Sequence, residues 1–260
     1  MARVSVEYEG HIARVTLTRG DKMNALDEAM MTSIIAAGEE VAASDARVAV
    51  LSGEGKSFCA GLDMASFAAM GTKDPKEFLM PRTHGESNFF QQVAMVWRSV
   101  PIPVIAALHG AVYGGGLQLA LGADIRIASP DTKLSLMEMK WGLVPDMGGM
   151  PLLTHLIRSD VLRQMTYTAR PVLAHQAESW GLVTSLSPDP LAAALDLAEE
   201  IAGKSPSAIR GAKRLIDVAE SASRADVLLA ESAEQAKLIG TPEQMEQVMA
   251  NMQGRKPNFG

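Results

Sequence analysis

A chain of 260 residues, 47% hydrophobic and 21% charged, is long enough for one sizeable core with a small second subdomain and too apolar to be disordered. A net charge of −6, with the basic residues scattered rather than blocked, excludes bulk attraction to nucleic acid or to an anionic membrane, so any anionic ligand must meet a local patch. One cysteine, Cys59, excludes an intramolecular disulfide, and five dispersed histidines leave no metal-ligand spacing, so no metal is expected.

In chain order, residues 3–19 read as a β-hairpin, with the alternating runs Val4, Val6, Tyr8 and Ile12, Val15, Leu17 on either side of Glu9-Gly10. That alternation is unlike a secretory leader, and no run of about 18 apolar residues occurs, so no membrane span is expected and the cytoplasm is the expected location. After a polar loop through Met23 and Asn24, Asp27 is placed to cap a helix whose apolar face is Met30, Met31, Ile34, Ile35 and Val41. The apolar run 48–51 is a buried strand. It enters a glycine-punctuated turn over 52–63, with a helical segment through Phe67 and Met70 expected next. Residues 71–85 mix Thr, Lys, Asp, Pro and Gly without a period and are expected to form a mobile surface segment.

A helix over 88–99 is closed by Pro101 and Pro103, which start a buried strand at 104–108. Gly114-Gly-Gly116 then lead into Leu117, Leu119, Ala120 and Leu121, a helix packed on most sides. Short strands are expected at 125–128 and 133–136, a turn-rich loop at 138–149, and a helix from 151 to 163. From 191 onward the pattern is helical. Ser205-Pro206 and Thr241-Pro-Glu-Gln244 mark helix starts, the latter with a capping-box partner, and Gly240 and Gly254 mark stops. Strand–helix alternation followed by helices predicts an α/β core with a helical appendix, and no fixed-period repeat is present.

Several motifs fail on inspection. Gly53-Glu-Gly-Lys56-Ser57 lacks the leading glycine of a phosphate-binding loop, since position 50 is Val50. Gly114-x-Gly116 lacks the third glycine of a dinucleotide fingerprint, since position 119 is Leu119. Cys59, between Phe58 and Ala60, reads as a small buried hydrophobe, and His109 as a packed, hydrogen-bonded histidine. Two strand-to-turn-to-helix junctions remain, Phe58-Cys-Ala-Gly-Leu62 and Tyr113-Gly-Gly-Gly116. Backbone N–H groups at such junctions have no intrahelical acceptor, and two of them converging on one oxygen make an oxyanion hole. The same glycines also suit a tight turn or close helix–sheet packing.

The segments Asn24-Ala-Leu26, Lys56-Ser-Phe-Cys-Ala-Gly-Leu-Asp63, Ala107-Leu-His-Gly-Ala-Val-Tyr-Gly-Gly-Gly116, Ala123-Asp-Ile-Arg-Ile-Ala128 and Gly142-Leu-Val-Pro145 with Gly148-Gly149 share an order and spacing. In these the chain resembles the enoyl-CoA hydratase/isomerase, or crotonase, superfamily. The resemblance implies a crotonase-like spiral of ββα units over 1–190 and a C-terminal α-helical trimerisation region over 191–260, assembled as a homotrimer or hexamer. It implies an oxyanion hole made by the N–H groups of Leu62 and Gly115, closing on the carbonyl of an acyl-CoA thioester. Lys22, Met23, Ala25, Ala60, Asp63 and Gly114 would contact that substrate, and Lys256 would reach the coenzyme A phosphates of a neighbouring subunit. Coenzyme A enters as part of the substrate, and no separate cofactor is implied.

Typical enoyl-CoA hydratases hold one water between two glutamates, and here the chain departs from the pattern: the first position is Gln118 and only the second, Glu138, is a carboxylate. Eight residues on stands Asp146, where the resembling dienoyl-CoA isomerases have an aspartate; as a bare sequence feature it could equally cap the helix beyond Gly148. The candidate catalytic residues are therefore Glu138, Gln118 and Asp146. The leading expectation is hydration of a 2-enoyl-CoA to a 3-hydroxyacyl-CoA, a reaction type of fatty acid metabolism, with Glu138 moving the proton and Gln118 orienting the water. The alternative is a double-bond isomerase using Glu138 with or without Asp146, and a third reading is a non-catalytic acyl-CoA-binding protein.

Overall fold

The computed structural model describes residues 3–66 and 74–259. The helical segment expected through Phe67 and Met70 lies outside them.

A six-stranded sheet carries the molecule, with strands Val4–Glu9 (β1), Ile12–Leu17 (β2), Val48–Gly53 (β3), Val104–Leu108 (β4), Ile125–Ala128 (β6) and Ser185–Leu186 (β9) side by side in that order. The β1–β2 hairpin is antiparallel, Val6 opposite Val15; every later pair is parallel, with Val50 opposite Ile105 and Ile105 opposite Ile125. Ala111–Tyr113 (β5), Lys133–Ser135 (β7) and Val172–Leu173 (β8) make a second, three-stranded sheet. The pleat sorts the apolar residues of the larger sheet to two faces. Ala49, Leu51, Val104, Ala106 and Leu108 join the main core with helices Glu28–Ala43 (α1) and Phe89–Ser99 (α3), whose Trp97 is fully buried. Val48, Val50, Ile105 and Ile127 face the other way, onto Ala194 and Ala198 of helix Pro190–Ala202 (α8).

The helices begin where their caps place them. The Asp27 carboxylate accepts from the Met30 N–H at 2.7 Å, and Asn88 and Gln91 form a reciprocal capping box that starts α3. Asp74 with Pro75 starts a short helix, Pro75–Leu79 (α2), inside the stretch expected to be irregular, because a cap and a proline at the first position suffice for one turn. The single helix expected over 151–163 is two, Gly149–Leu156 (α5) and Ser159–Thr168 (α6), broken where Ile157 turns extended at φ −129°, ψ 155° to bury its side chain. Pro151 falls in the first turn of α5, where no intrahelical N–H is needed.

Helix Gly115–Leu121 (α4) begins at the three glycines and is buried along its whole length. Ala174–Ser179 (α7) leads to β9. The division expected at residue 190 falls at the start of α8, which packs on the sheet, whereas Pro206–Ser221 (α9), Arg224–Leu238 (α10) and Pro242–Gln253 (α11) bury few residues. Ser205 and Thr241 cap α9 and α11 as expected, but Gln244 reaches back to the Gly240 N–H rather than to Thr241. No helix among the described residues is long and apolar enough to cross a membrane.

Candidate active site

The two glycine junctions lie against each other. Cys59 bridges to Val112 as an isolated parallel pair, and the Tyr113 N–H donates to the Cys59 carbonyl at 3.1 Å. Gly61, at φ +90°, takes a left-handed turn so close to Tyr113 that a Cβ there would lie 2.6 Å from the Tyr113 carbonyl oxygen and 3.6 Å from the Gly115 nitrogen. That approach brings Leu62 beside the start of α4. Among the described residues, the hydrogen bonds of these turns leave the N–H groups of Leu62 and Gly115 without a protein acceptor, and both residues line one cavity of about 820 Å³. Gly115 adds the positive end of a buried helix.

Asn24, whose motif is apparent in the sequence but whose task is not, holds the loop that pairs with the Leu62 junction through the Leu26–Leu62 bridge. It is fully buried at φ +53°; its side-chain oxygen accepts from the Arg19 N–H at 2.9 Å, and its amide donates to the carbonyls of Glu54 and Ser57 at 3.0 and 2.9 Å. Lys22, Met23, Ala25, Ala60, Asp63 and Gly114 line the cavity. Asp63 is already occupied: it accepts from the N–H groups of Ala65 and Ser66 and pairs with Arg19 at 2.9 Å. Burial alone would raise its carboxyl, but these donors outweigh it and hold the pKa below the usual range. Lys256 sits exposed on the tail beyond α11, outside the cavity of its own chain. Sequence reasoning did not single out Met137, Trp141 and Met147, which add apolar lining to the cavity; scattered apolar residues outside regular elements carry no periodic signal.

Glu138 opens a short 3₁₀ turn, Glu138–Trp141, at the cavity floor. Its Oε1 accepts from the Gln118 amide at 2.7 Å, and its Oε2 is buried with no partner among the described residues. Burial raises its pKa above the usual glutamate value; the Gln118 hydrogen bond opposes this and the nearby Asp146 charge adds to it. Asp146 lines the same cavity from its rim. It caps nothing: Gly148 at φ +86° is the residue before α5, and no side chain caps that helix. The Asp146 residue is open to solvent, yet the walls around its carboxyl withdraw enough water for burial to raise its pKa also.

Gln118 does not line the cavity. It is fully buried in the first turn of α4, and its Oε1 accepts from the N–H groups of Met147 at 2.8 Å and Gly149 at 3.1 Å. An amide oxygen has two lone pairs. Both are occupied, so the Gln118 oxygen has no acceptor left for a water, and its amide nitrogen contacts Glu138. Cys59 is fully buried and donates to the Asn24 carbonyl; burial pushes its thiol up to about 12, which removes it as a nucleophile at neutral pH. His109 is hydrogen-bonded to the Gly55 carbonyl. Among the described residues, no three His, Cys, Asp or Glu side chains group closely enough to hold a metal.

The enoyl-CoA hydratase/isomerase family model matches residues 7–260. EchA19 of Mycobacterium tuberculosis, named an enoyl-CoA hydratase, is 30% identical over 257 residues, 98% of this chain and 95% of its own. The mitochondrial Δ(3,5)-Δ(2,4)-dienoyl-CoA isomerase of Rattus norvegicus is 33% identical over 211 residues, 78% of this chain; the match spans 64% of that longer relative. The crystal structure of an enoyl-CoA hydratase from Bacillus anthracis superposes with a TM-score of 0.89 at 28% identity, covering 99% of this chain and 98% of that one. In sequence and in fold, the chain belongs to the enoyl-CoA hydratase/isomerase family, within the crotonase superfamily.

Proposed function

We propose that the chain moves a proton on the acyl part of an enoyl-CoA thioester. The N–H groups of Leu62 and Gly115 hold the thioester carbonyl oxygen, and Glu138 Oε2 carries the proton. The observation that carries this reading is the asymmetry of Glu138, a residue that lines the cavity: one oxygen is fixed by Gln118, and the other is buried without a partner among the described residues. Removing a proton beside the thioester, or adding water across its double bond, places negative charge on the carbonyl oxygen as an enolate. Fixed N–H dipoles stabilise that charge more than they stabilise the neutral substrate, and losing one such donor costs about 2.7–4 kcal/mol.

The geometry favours a double-bond shift among the reactions open to this machinery. Glu138 Oε2 takes a proton from one carbon, the enolate forms, and the proton is returned to a carbon further along; Asp146 faces the same cavity as a second carrier for longer shifts. Hydration of a 2-enoyl-CoA to a 3-hydroxyacyl-CoA is the second reading, favoured by the same partnerless oxygen, which can accept from a water, and by a relative named as a hydratase. It needs the water to be accepted by Glu138, since the Gln118 oxygen is engaged by the Met147 and Gly149 N–H groups. A panel of 2-enoyl, 3-enoyl and dienoyl thioesters, incubated in heavy-oxygen water and read by mass spectrometry, separates the two. Label in the product means hydration; isomerised product without label means a double-bond shift; binding without product leaves a non-catalytic acyl-CoA-binding protein.

We further propose that the active form is a homotrimer or a dimer of trimers in the cytoplasm, where the free thiol of Cys59 stays reduced. Leu228, Leu229, Ile239, Val248, Met249 and Met252 of the C-terminal helices are exposed in one chain, supporting a second copy as their cover. Lys256 would then meet the coenzyme A of a neighbour.

A further inference from the structure

The Gln118 amide has only one orientation that works. Turned over, its NH₂ would face the N–H groups of Met147 and Gly149, and its oxygen would face a carboxylate oxygen 2.7 Å away. As placed, three hydrogen bonds are made by one buried side chain. The neighbours are shaped for it: a Cβ on Gly149 would lie 2.8 Å from Gln118 Cγ and 3.0 Å from Oε1. Gln118 stands one helical turn from Gly115, whose Cα faces the Met147 sulfur so closely that an added Cβ would come within 2.6 Å of it. The oxyanion donor of α4, the proton carrier Glu138 and the loop bearing Asp146 therefore refer to the same first turn of one buried helix.

We infer that Gln118 is a positioning residue that bolts Glu138 and the 145–149 loop onto α4, so that Oε1 is held on Gln118 and protons enter and leave Glu138 by way of Oε2. This deepens the reading above and rests on it for the identity of the proton carrier. Oε1, with one lone pair already engaged by the Gln118 N–H, is the less basic oxygen, whereas Oε2, with no partner among the described residues, has both lone pairs free. A carboxylate left to rotate would present either oxygen and misplace the transfer; displacements of about 1 Å cost reacting systems as much as ~10²-fold.

The test uses two variants and a readout that does not need turnover. Gln118→Met keeps length and volume but makes none of the three bonds; Gln118→Glu keeps an oxygen for the Met147 and Gly149 N–H groups and sets its second oxygen against Glu138. The Glu138 titration is followed by carbon-13 NMR of glutamate-labelled protein, its resonance identified by its loss in Glu138→Gln. Kinetics are run on whichever thioester the panel selects. Positioning predicts that Gln118→Met lowers kcat by about tenfold or more with KM changed less than about threefold, and that Glu138 titrates at higher pH because its anion has lost a donor. Gln118→Glu should raise the Glu138 titration further through like-charge repulsion. A Glu138 titration unmoved in Gln118→Met, or a kcat loss with an unchanged pH profile and a matching fall in melting temperature, overturns the inference in favour of simple packing. If wild type turns over no thioester, the proposed reaction fails while the titrations still decide what Gln118 does to Glu138.

Discussion

Asp146 and Glu138 share a cavity, and the charge of one acts on the ionisation of the other. Glu138 must be ionised to take a proton. Burial raises its pKa, with the Asp146 charge adding to that, so the acid limb of kcat/KM should lie above the pH at which an ordinary glutamate titrates. Asp146→Asn removes the negative charge, makes the Glu138 anion easier to form and should move that limb to lower pH; a pH–rate profile whose limb stays or rises contradicts the electrostatic account. Asn24 is a second residue whose work is local. Asn24→Ala would remove the partner of the Arg19 N–H and of the carbonyls of Glu54 and Ser57, of which only the Ser57 bond is fully buried, so the loss should be about 1–3 kcal/mol in urea unfolding. The residues proposed to touch the reacting atoms could be named from the sequence because their types and spacing are specific. The inward turn of Gln118 could not, since an amide reads the same whether it faces a water or two N–H groups.

Helix starts were read well, because Asp27, Asn88, Ser205 and Thr241 cap through side chains that announce themselves. The break at Ile157 was not. Nothing in the local pattern of residues 151–163 opposes a continuous helix, and the turn is imposed by what Ile157 packs against. The attachment of α9 was equally hidden. Lys213 is 8% exposed and donates from Nζ to Asp124 Oδ2 and to the Ile102 carbonyl, both at 2.9 Å, while Arg98 pairs with Asp217 and Glu220 of the same helix. These residues are far apart in sequence and carry no motif. Lys213→Met leaves the half-buried Asp124 carboxylate short of its closest cation and the Ile102 carbonyl without its donor, so it should destabilise the chain by about 3 kcal/mol. Thermal melts at low and high salt check this; a change under about 0.5 kcal/mol would show that the pair is screened as at an open surface.

At the scale of the molecule, a parallel sheet covered on both faces brings two glycine junctions together, and the helices from α9 onward are left with apolar surface to cover. Light scattering at micromolar concentration should therefore give three or six times the chain mass, and a monomer would contradict the proposed assembly. The central claim is narrower: a proton passes between substrate carbon and Glu138 while the thioester oxygen rests on the N–H groups of Leu62 and Gly115. Deuterium entry into the acyl carbons of a bound enoyl-CoA in heavy water, followed by NMR for wild type and Glu138→Gln, tests it most directly. The account predicts exchange in wild type and a rate lower by about 10²-fold or more in the variant, with thioester affinity unchanged. Equal exchange in the two proteins, or neither exchange nor internal return of the substrate's own proton in wild type with the thioester bound, would contradict it.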